Sequence, residues 1–421
     1  MRQEHRVKRG GDIMDTRGLC VLLGAGDPYY REYALTALGE FCDLVLVAPQ
    51  EPEWATPHIH SLVLADPRDP LATLAALRDS GPMGLAGVVT YDEFSVESAA
   101  RIAVELGLRG SSPAAAARCR DKRQMRAAFE AAGVASPVSV AATTLAEVTA
   151  AAQRTGFPLV LKPVDLAGSI GVVLVRQPNE LREAYRRCRA SGRAEYGAVS
   201  NAILVEEYVE GPEVSVESLV RAGEVQTVAM TRKRLVPPPW FEESGHVVVG
   251  GPVPEEIARL AERAQRALGI QWGATHTEIR LGAVGPRVIE VAARPAGDVI
   301  PLLVLLATGV DLTVASAAAA MGRPAPAARE PVAPAAAVRF FSPGKDMVFR
   351  SASSEVAAAA PEWLVSFVIE AADGDVLRLP PHGFLDRVGY AIVTGANEAE
   401  CEQRLDELEL SLHISADPFV G

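Results

Sequence analysis

Cysteine is scarce, a basic excess is missing, and no apolar run approaches membrane-spanning length. The chain of 421 residues holds five cysteines, Cys20, Cys42, Cys119, Cys188 and Cys401, scattered without a Cys-x-x-Cys pair. Such spacing provides neither a disulfide framework nor a zinc site, and reads as free thiols in a reducing compartment. His58 and His60 form a His-x-His pair with no third ligand type nearby, so an edge-strand or loop pair is expected rather than a metal site. Lys and Arg number 41 against 53 Asp and Glu, a net charge of −12. A general nucleic-acid or anionic-membrane surface is thereby excluded, because phosphate backbones need a basic footprint. Residues 1–17 are polar and basic but lack the apolar middle of a signal peptide, and no segment is long enough to cross a bilayer. They are expected to form a disordered tail, with Met14 a possible alternative start, on a protein of the cytoplasm.

What is present is an ordinary globular composition, 49% hydrophobic and 22% charged, on a chain long enough for two or three units. Over 18–113, apolar runs at 19–23, 44–48, 61–65 and 87–91 alternate with helical patterns at 31–40, 71–79 and 95–106. This predicts βαβ units on a parallel sheet. Gly24-Ala-Gly26 follows the first run, but Tyr29 stands where a dinucleotide fingerprint needs its third glycine, which leaves a tight strand-to-helix turn. A second unit, 114–325, begins with helices ending at Gly133 and Gly156 and continues through strands and a long helix at 254–268. A proline and alanine linker at 322–334 then leads to a smaller α+β lobe, 326–421.

Three segments carry chemistry. Phe157-Pro-Leu-Val-Leu-Lys162 ends an apolar strand in a lysine and is followed by Gly168-Ser169-Ile-Gly171, whose backbone N–H groups can approach phosphate oxygens. The lysine precedes the glycines, so the pattern is not the Walker loop. Next, Glu206-Glu207-Tyr-Val209-Glu-Gly-Pro-Glu213 runs a strand into a turn, where a free strand edge can meet an adenine and a carboxylate can meet a ribose. Lastly, Thr275-His276-Thr-Glu278 and Ile289-Glu290-Val-Ala292-Ala-Arg294 flank a short turn. Antiparallel pairing sets Glu278 beside Glu290, a cost that disappears if they share a cation such as Mg²⁺. Arg294 on the same face is placed to meet a phosphate.

The order of these parts resembles the ATP-grasp superfamily, over about residues 19–421. The resemblance implies an α/β ATP-grasp fold with an N-terminal Rossmann-like parallel domain and a nucleotide between two lobes. It implies that Lys122 and Lys162 bind ATP together with Gly168, Ser169 and Gly171. Glu206, Glu207 and Val209 would form the adenine hinge and Glu213 the ribose acid. Glu278 and Glu290 would hold Mg²⁺ or Mn²⁺. Ala292 stands where the family usually has an asparagine for a second metal ion. Gly273-Ala-Thr-His276-Thr-Glu278, Glu243-Ser-Gly-His246 and Arg294-Pro-Ala-Gly297-Asp further resemble the L-amino acid ligases. That likeness implies acyl-phosphate activation of a carboxylate and its capture by an amine, with Arg294, His276 and Lys162 in the chemistry.

On the substrate side, His246, Arg294 and Gly297 are implied, with Glu93 at a strand end as a candidate for an amino group. His276 either orients the acyl phosphate or the amine, or is a strand histidine bonded to a neighbour. Residues 232–246 read as a mobile substrate loop. The expected partners are a small carboxylate and a small amine, in a homodimer. A purine-biosynthetic or carboxylase-type ATP-grasp enzyme and a non-catalytic ATP-binding protein are the alternatives.

Overall fold

The computed structural model describes residues 17–80, 84–191, 200–236, 240–380 and 382–419. In the N-terminal unit four parallel strands lie in the order Ser61–Leu64, Asp43–Ala48, Leu19–Leu23, Leu85–Val89. Their runs are almost continuously apolar because helices cover both faces, and Cys20 to Leu23 have no exposure at all. The strand-to-helix turn bears Gly24 at φ 84°, and Asp27 caps the helix Pro28–Phe41 by accepting from the Tyr29 N–H, with Pro28 in the first turn. His58 closes a short 3₁₀ helix and faces Thr36 at 3.3 Å, so the His-x-His pair does not share a strand.

A small antiparallel sheet follows, ordered Ser139–Ala142, Ile203–Glu207, Leu159–Pro163, Val173–Val175. Helices Leu145–Thr155 and Leu181–Ala190 bury Val148, Leu181 and Cys188 against it. The first of these helices starts with a reciprocal capping box between Thr144 and Glu147 and stops at Gly156.

The large sheet has eight strands, ordered Gly285–Ala292, Trp272–Gly282, Glu213–Arg221, Glu224–Leu235, Glu243–Val249, Ala335–Phe341, Gly389–Gly395, Leu364–Ile369. The last three come from the segment expected to form a smaller C-terminal α+β lobe, and they extend the central sheet because Ala335–Phe341, buried on both faces, pairs with Glu243–Val249. The segment's other strands, Val376–Leu377, Met347–Ser354 and Leu412–Pro418, form a sheet of their own. The proposed substrate loop is also corrected: Lys233 pairs with His246 across two neighbouring strands. A side chain at Gly245 would meet the Val338 carbonyl at 2.6 Å, which is why glycine sits inside that strand. Residues 237–239 of that stretch lie outside the described residues. Among the described residues no single helix is long and apolar enough to cross a membrane. All five cysteines are buried and none is in a disulfide.

Candidate active site

Between the small sheet and the large one lies an open cavity of about 200 Å³. Its floor is the hairpin Trp272–Gly282 and Gly285–Ala292, whose register sets Glu278 directly opposite Glu290 and His276 opposite Ala292. Each of the two carboxylates is paired with a lysine from elsewhere in the chain. Lys122 Nζ donates to Glu290 at 3.0 Å and to the Leu166 carbonyl at 2.6 Å. Lys233 donates to Glu278, to Glu243 at 2.5 Å and to Glu213 at 3.2 Å. Burial disfavours a charge on Lys233, but its three acids outweigh that and hold its pKa well above the ordinary lysine value. Glu278 is held well below the usual carboxylate range, since Lys233 and His276 overcome the effect of burial.

The nucleotide end is built on the small sheet. Lys162 is buried and bonds Glu206 at 2.6 Å, while Arg126 bonds the same carboxylate at 2.7 Å. Burial lifts the Glu206 pKa, yet the two cations bring it down to about 2. The side chain of Glu206 therefore holds Lys162 in place and is not available to an adenine. Glu207, Tyr208 and Val209 line the cavity, but the strand Ile203–Glu207 is paired on both sides, so the free strand edge expected there is absent. Burial depresses the pKa of Lys162 despite Glu206, and Arg126 and Lys122 add to that effect. Gly168 and Ser169, at φ 61° and 60°, face the cavity. Gly171 does not: a Cβ there would lie 2.9 Å from Pro163 and Ser191, so its bareness serves loop packing. Glu213 is shared by Lys233 and by Arg280 at 2.9 Å, on the wall next to the hinge.

Two substrate expectations are corrected. Glu93 is 5% exposed, with Arg120 on one oxygen at 2.8 Å and Arg294 on the other at 2.6 Å. Against the effect of burial, these guanidiniums set its pKa at about 2. It cannot meet an amino group; it aims Arg294. His246 is wholly buried behind the cavity, its Nε2 2.8 Å from Asp298 and 3.2 Å from Glu243. It reaches the site only through those two acids. Arg294 and Gly297 line the cavity, and His276 does so while bonded through Nδ1 to Glu217 at 2.9 Å. Burial opposes its charge, but Glu217 raises its pKa to about 9. His276 is thus a strand histidine bonded to a neighbour that also forms part of the cavity wall.

Lys233, Glu217, Arg280, Arg120, Arg126 and Arg387 escaped the sequence reading. A signal existed for Glu217, which alternates with Glu213 and Ser215 on one strand face. Lys233 lies on the strand Glu224–Leu235, within the stretch 232–246 whose prolines read as a loop.

The opposed carboxylates supply the hard oxygen donors that Mg²⁺ prefers, and the cations around them match a polyphosphate, so the residues present fit a metal-bound nucleotide. Ala292 offers no donor for a second ion. A family model for the ATP-grasp domain matches residues 155–301. An uncharacterised protein of Sinorhizobium fredii is 30% identical over 80% of this chain and 69% of its own length. The alanine–anticapsin ligase of Bacillus subtilis is 32% identical over 52% of this chain. The match spans half, 50%, of that ligase's length. An L-amino acid ligase from Bacillus licheniformis superposes with a TM-score of 0.78 at 23% identity, covering 95% of this chain and 98% of that one, and so shares the fold. The chain belongs to the ATP-grasp family, among relatives that include carboxylate–amine ligases.

Proposed function

We propose that the protein is an ATP-dependent carboxylate–amine ligase, which activates an amino acid or related carboxylate as an acyl phosphate and joins it to an amine, releasing ADP and phosphate. The observation that carries this is the opposed pair Glu278 and Glu290 with Arg294 fixed beside them by Glu93. The relatedness to an alanine–anticapsin ligase supports an amide or dipeptide product of the kind found in antibiotic biosynthesis.

In this reading Glu278 and Glu290 would hold Mg²⁺ or Mn²⁺, which when bound would supply charge neutralisation at the phosphoryl group. Lys122 and Lys233 rest on the two acids and exchange part of that contact for phosphate oxygens. Lys162, kept in place by Glu206, meets the nucleotide phosphates, and the backbone of the Gly168 turn closes over them. Arg294 donates to the carboxylate under activation and then to the oxyanion formed when the amine attacks. His276, charged and oriented by Glu217, keeps Glu278 ionised and presents its ring edge to the same point. Closure of the glycine turn excludes water, which otherwise hydrolyses the acyl phosphate. A homodimer in the cytoplasm accords with the commonest symmetry of such enzymes and with cysteines that form no disulfide.

The test is a phosphate-release screen over pairs of amino acids and other carboxylates with Mg²⁺ and ATP, followed by mass spectrometry. ADP with a condensed product supports the reading; AMP, or no release with any pair, contradicts it.

A further inference from the structure

Beside the opposed pair, two groups of side chains converge closely enough to hold further metal ions, and the protein fills both by itself. Carboxylate oxygens of Glu213, Glu243 and Glu278 lie within 4.8 Å of one another. Among them stands the Lys233 ammonium, its side chain 1% exposed, on Glu243 at 2.5 Å, on Glu213 at 3.2 Å and on Glu278. An ammonium has three N–H donors, and three acids are there to accept them. The other group is Glu243, His246 and Asp298. His246 Nε2 bridges its two acids at 3.2 and 2.8 Å, and Arg387 donates to both oxygens of Asp298, at 2.9 and 3.4 Å.

What stays open to a cation is smaller. Glu278 meets Lys233 through Oε1, with His276 Nε2 at 3.4 Å from the same oxygen, and Glu290 meets Lys122 through Oε1 at 3.0 Å. Among the described residues, Oε2 of each has no hydrogen-bond partner. Both side chains line the cavity. One free oxygen from each of two facing carboxylates, completed by phosphate oxygens and water, suits the octahedron of a single Mg²⁺. The next position on that face of the strand adds nothing, since Ala292, opposite His276, brings only a methyl group to the cavity. A second dication would find no donor from Ala292 and would be repelled by the Lys233 ammonium.

We infer, resting on the metal-bound nucleotide of the ligase reading, that the site takes one divalent ion, between Glu278 and Glu290. Lys233 fills the three-acid cluster as a built-in cation where a second ion would otherwise fit, and the methyl group of Ala292 withholds the donor that would recruit one nearby. Lys233 is thus a positioning residue: by engaging Glu278 Oε1 it leaves Oε2 to the ion.

Manganese counts the ions directly, because Mn²⁺ suits the same oxygen ligands as Mg²⁺ and is paramagnetic. The full chain is saturated with an imido analogue of ATP, which cannot transfer its γ-phosphate. It is then titrated with Mn²⁺ while electron paramagnetic resonance reads free and bound ion. The wild type is expected to bind one Mn²⁺ per nucleotide complex, with no coupling between neighbouring ions in the spectrum. Lys233→Met, which vacates the three-acid cluster, should bind two. Ala292→Asp supplies the withheld donor and should also bind two; it leaves Lys233 and its acids in place, and so serves even where Lys233→Met fails to fold. Two ions in the wild type would overturn the inference, as would a single ion in a folded Lys233→Met or Ala292→Asp protein. The count needs no turnover. Phosphate release by a wild type that binds two ions sinks the one-ion assignment alone. One ion, with no phosphate release from any carboxylate–amine pair, sinks the ligase reading alone.

Discussion

Replacing Glu93 by glutamine removes one negative charge from between two buried guanidiniums while keeping the side-chain shape. In the native protein Arg120 and Arg294 approach its two oxygens at 2.8 and 2.6 Å, and the carboxyl titrates at about 2 instead of 4.5. At about 1.4 kcal/mol for each pH unit, that depression corresponds to about 3 kcal/mol of folding stability. Because the folded-state pKa is lowered, this contribution is present above pH 4.5 and is lost as the pH falls through about 2. Urea denaturation at neutral pH should show Glu93→Gln destabilised by about that amount, with part of the acid sensitivity gone. Arg294 should also lose its fixed orientation. Steady-state phosphate release should then fall in kcat by about tenfold to a hundredfold, as for a lost oxyanion donor, with the KM for ATP nearly unchanged. A structural role alone would lower stability without separating kcat from KM. Wild-type kcat together with wild-type stability would refute the assignment of Glu93 as the group that aims Arg294.

Other outcomes follow from the same geometry. Lys233→Met leaves Glu213, Glu243 and Glu278 clustered without their shared cation, and should cost about 3 kcal/mol or more in denaturant unfolding; unchanged unfolding would show that the acids do not depend on it. His276 is raised from 6.5 to about 9, so its stabilisation is complete below pH 6.5 and disappears as the pH rises through 9. Melting temperatures should fall across that window, with at most about 3 kcal/mol at stake, and Glu217→Gln should flatten the fall. Glu290→Ala should abolish turnover in the phosphate assay, and near-normal turnover would remove the metal assignment from this pair.

The hairpin bearing Glu278 and Glu290 was legible because a short turn between two alternating runs fixes its register, and register decides which side chains face each other. The parallel N-terminal sheet was legible for a similar reason: its runs are apolar enough to require cover on both faces. Other features depended on distant parts of the chain. Glu93 looked like an open acid at a strand end, and only the fold brings Arg120 and Arg294, 27 and 201 residues away, to its oxygens. Lys233 is buried by acids from three different strands, a fact that no local pattern encodes. The strand Glu243–Val249 was hidden by the prolines and glycine around it, since its partner Ala335–Phe341 lies beyond the linker. That long-range pairing is also why part of the C-terminal segment joins the central sheet and, through Arg387, the site wall.

The central claim, activation of a carboxylate through an acyl phosphate, is tested most directly by oxygen transfer. An amino acid that supports phosphate release is labelled with ¹⁸O in its carboxylate and turned over with Mg²⁺, ATP and the amine. The account predicts ADP, a condensed product that has lost one labelled oxygen, and inorganic phosphate that has gained it. Label found in AMP, or phosphate released without label, would contradict it.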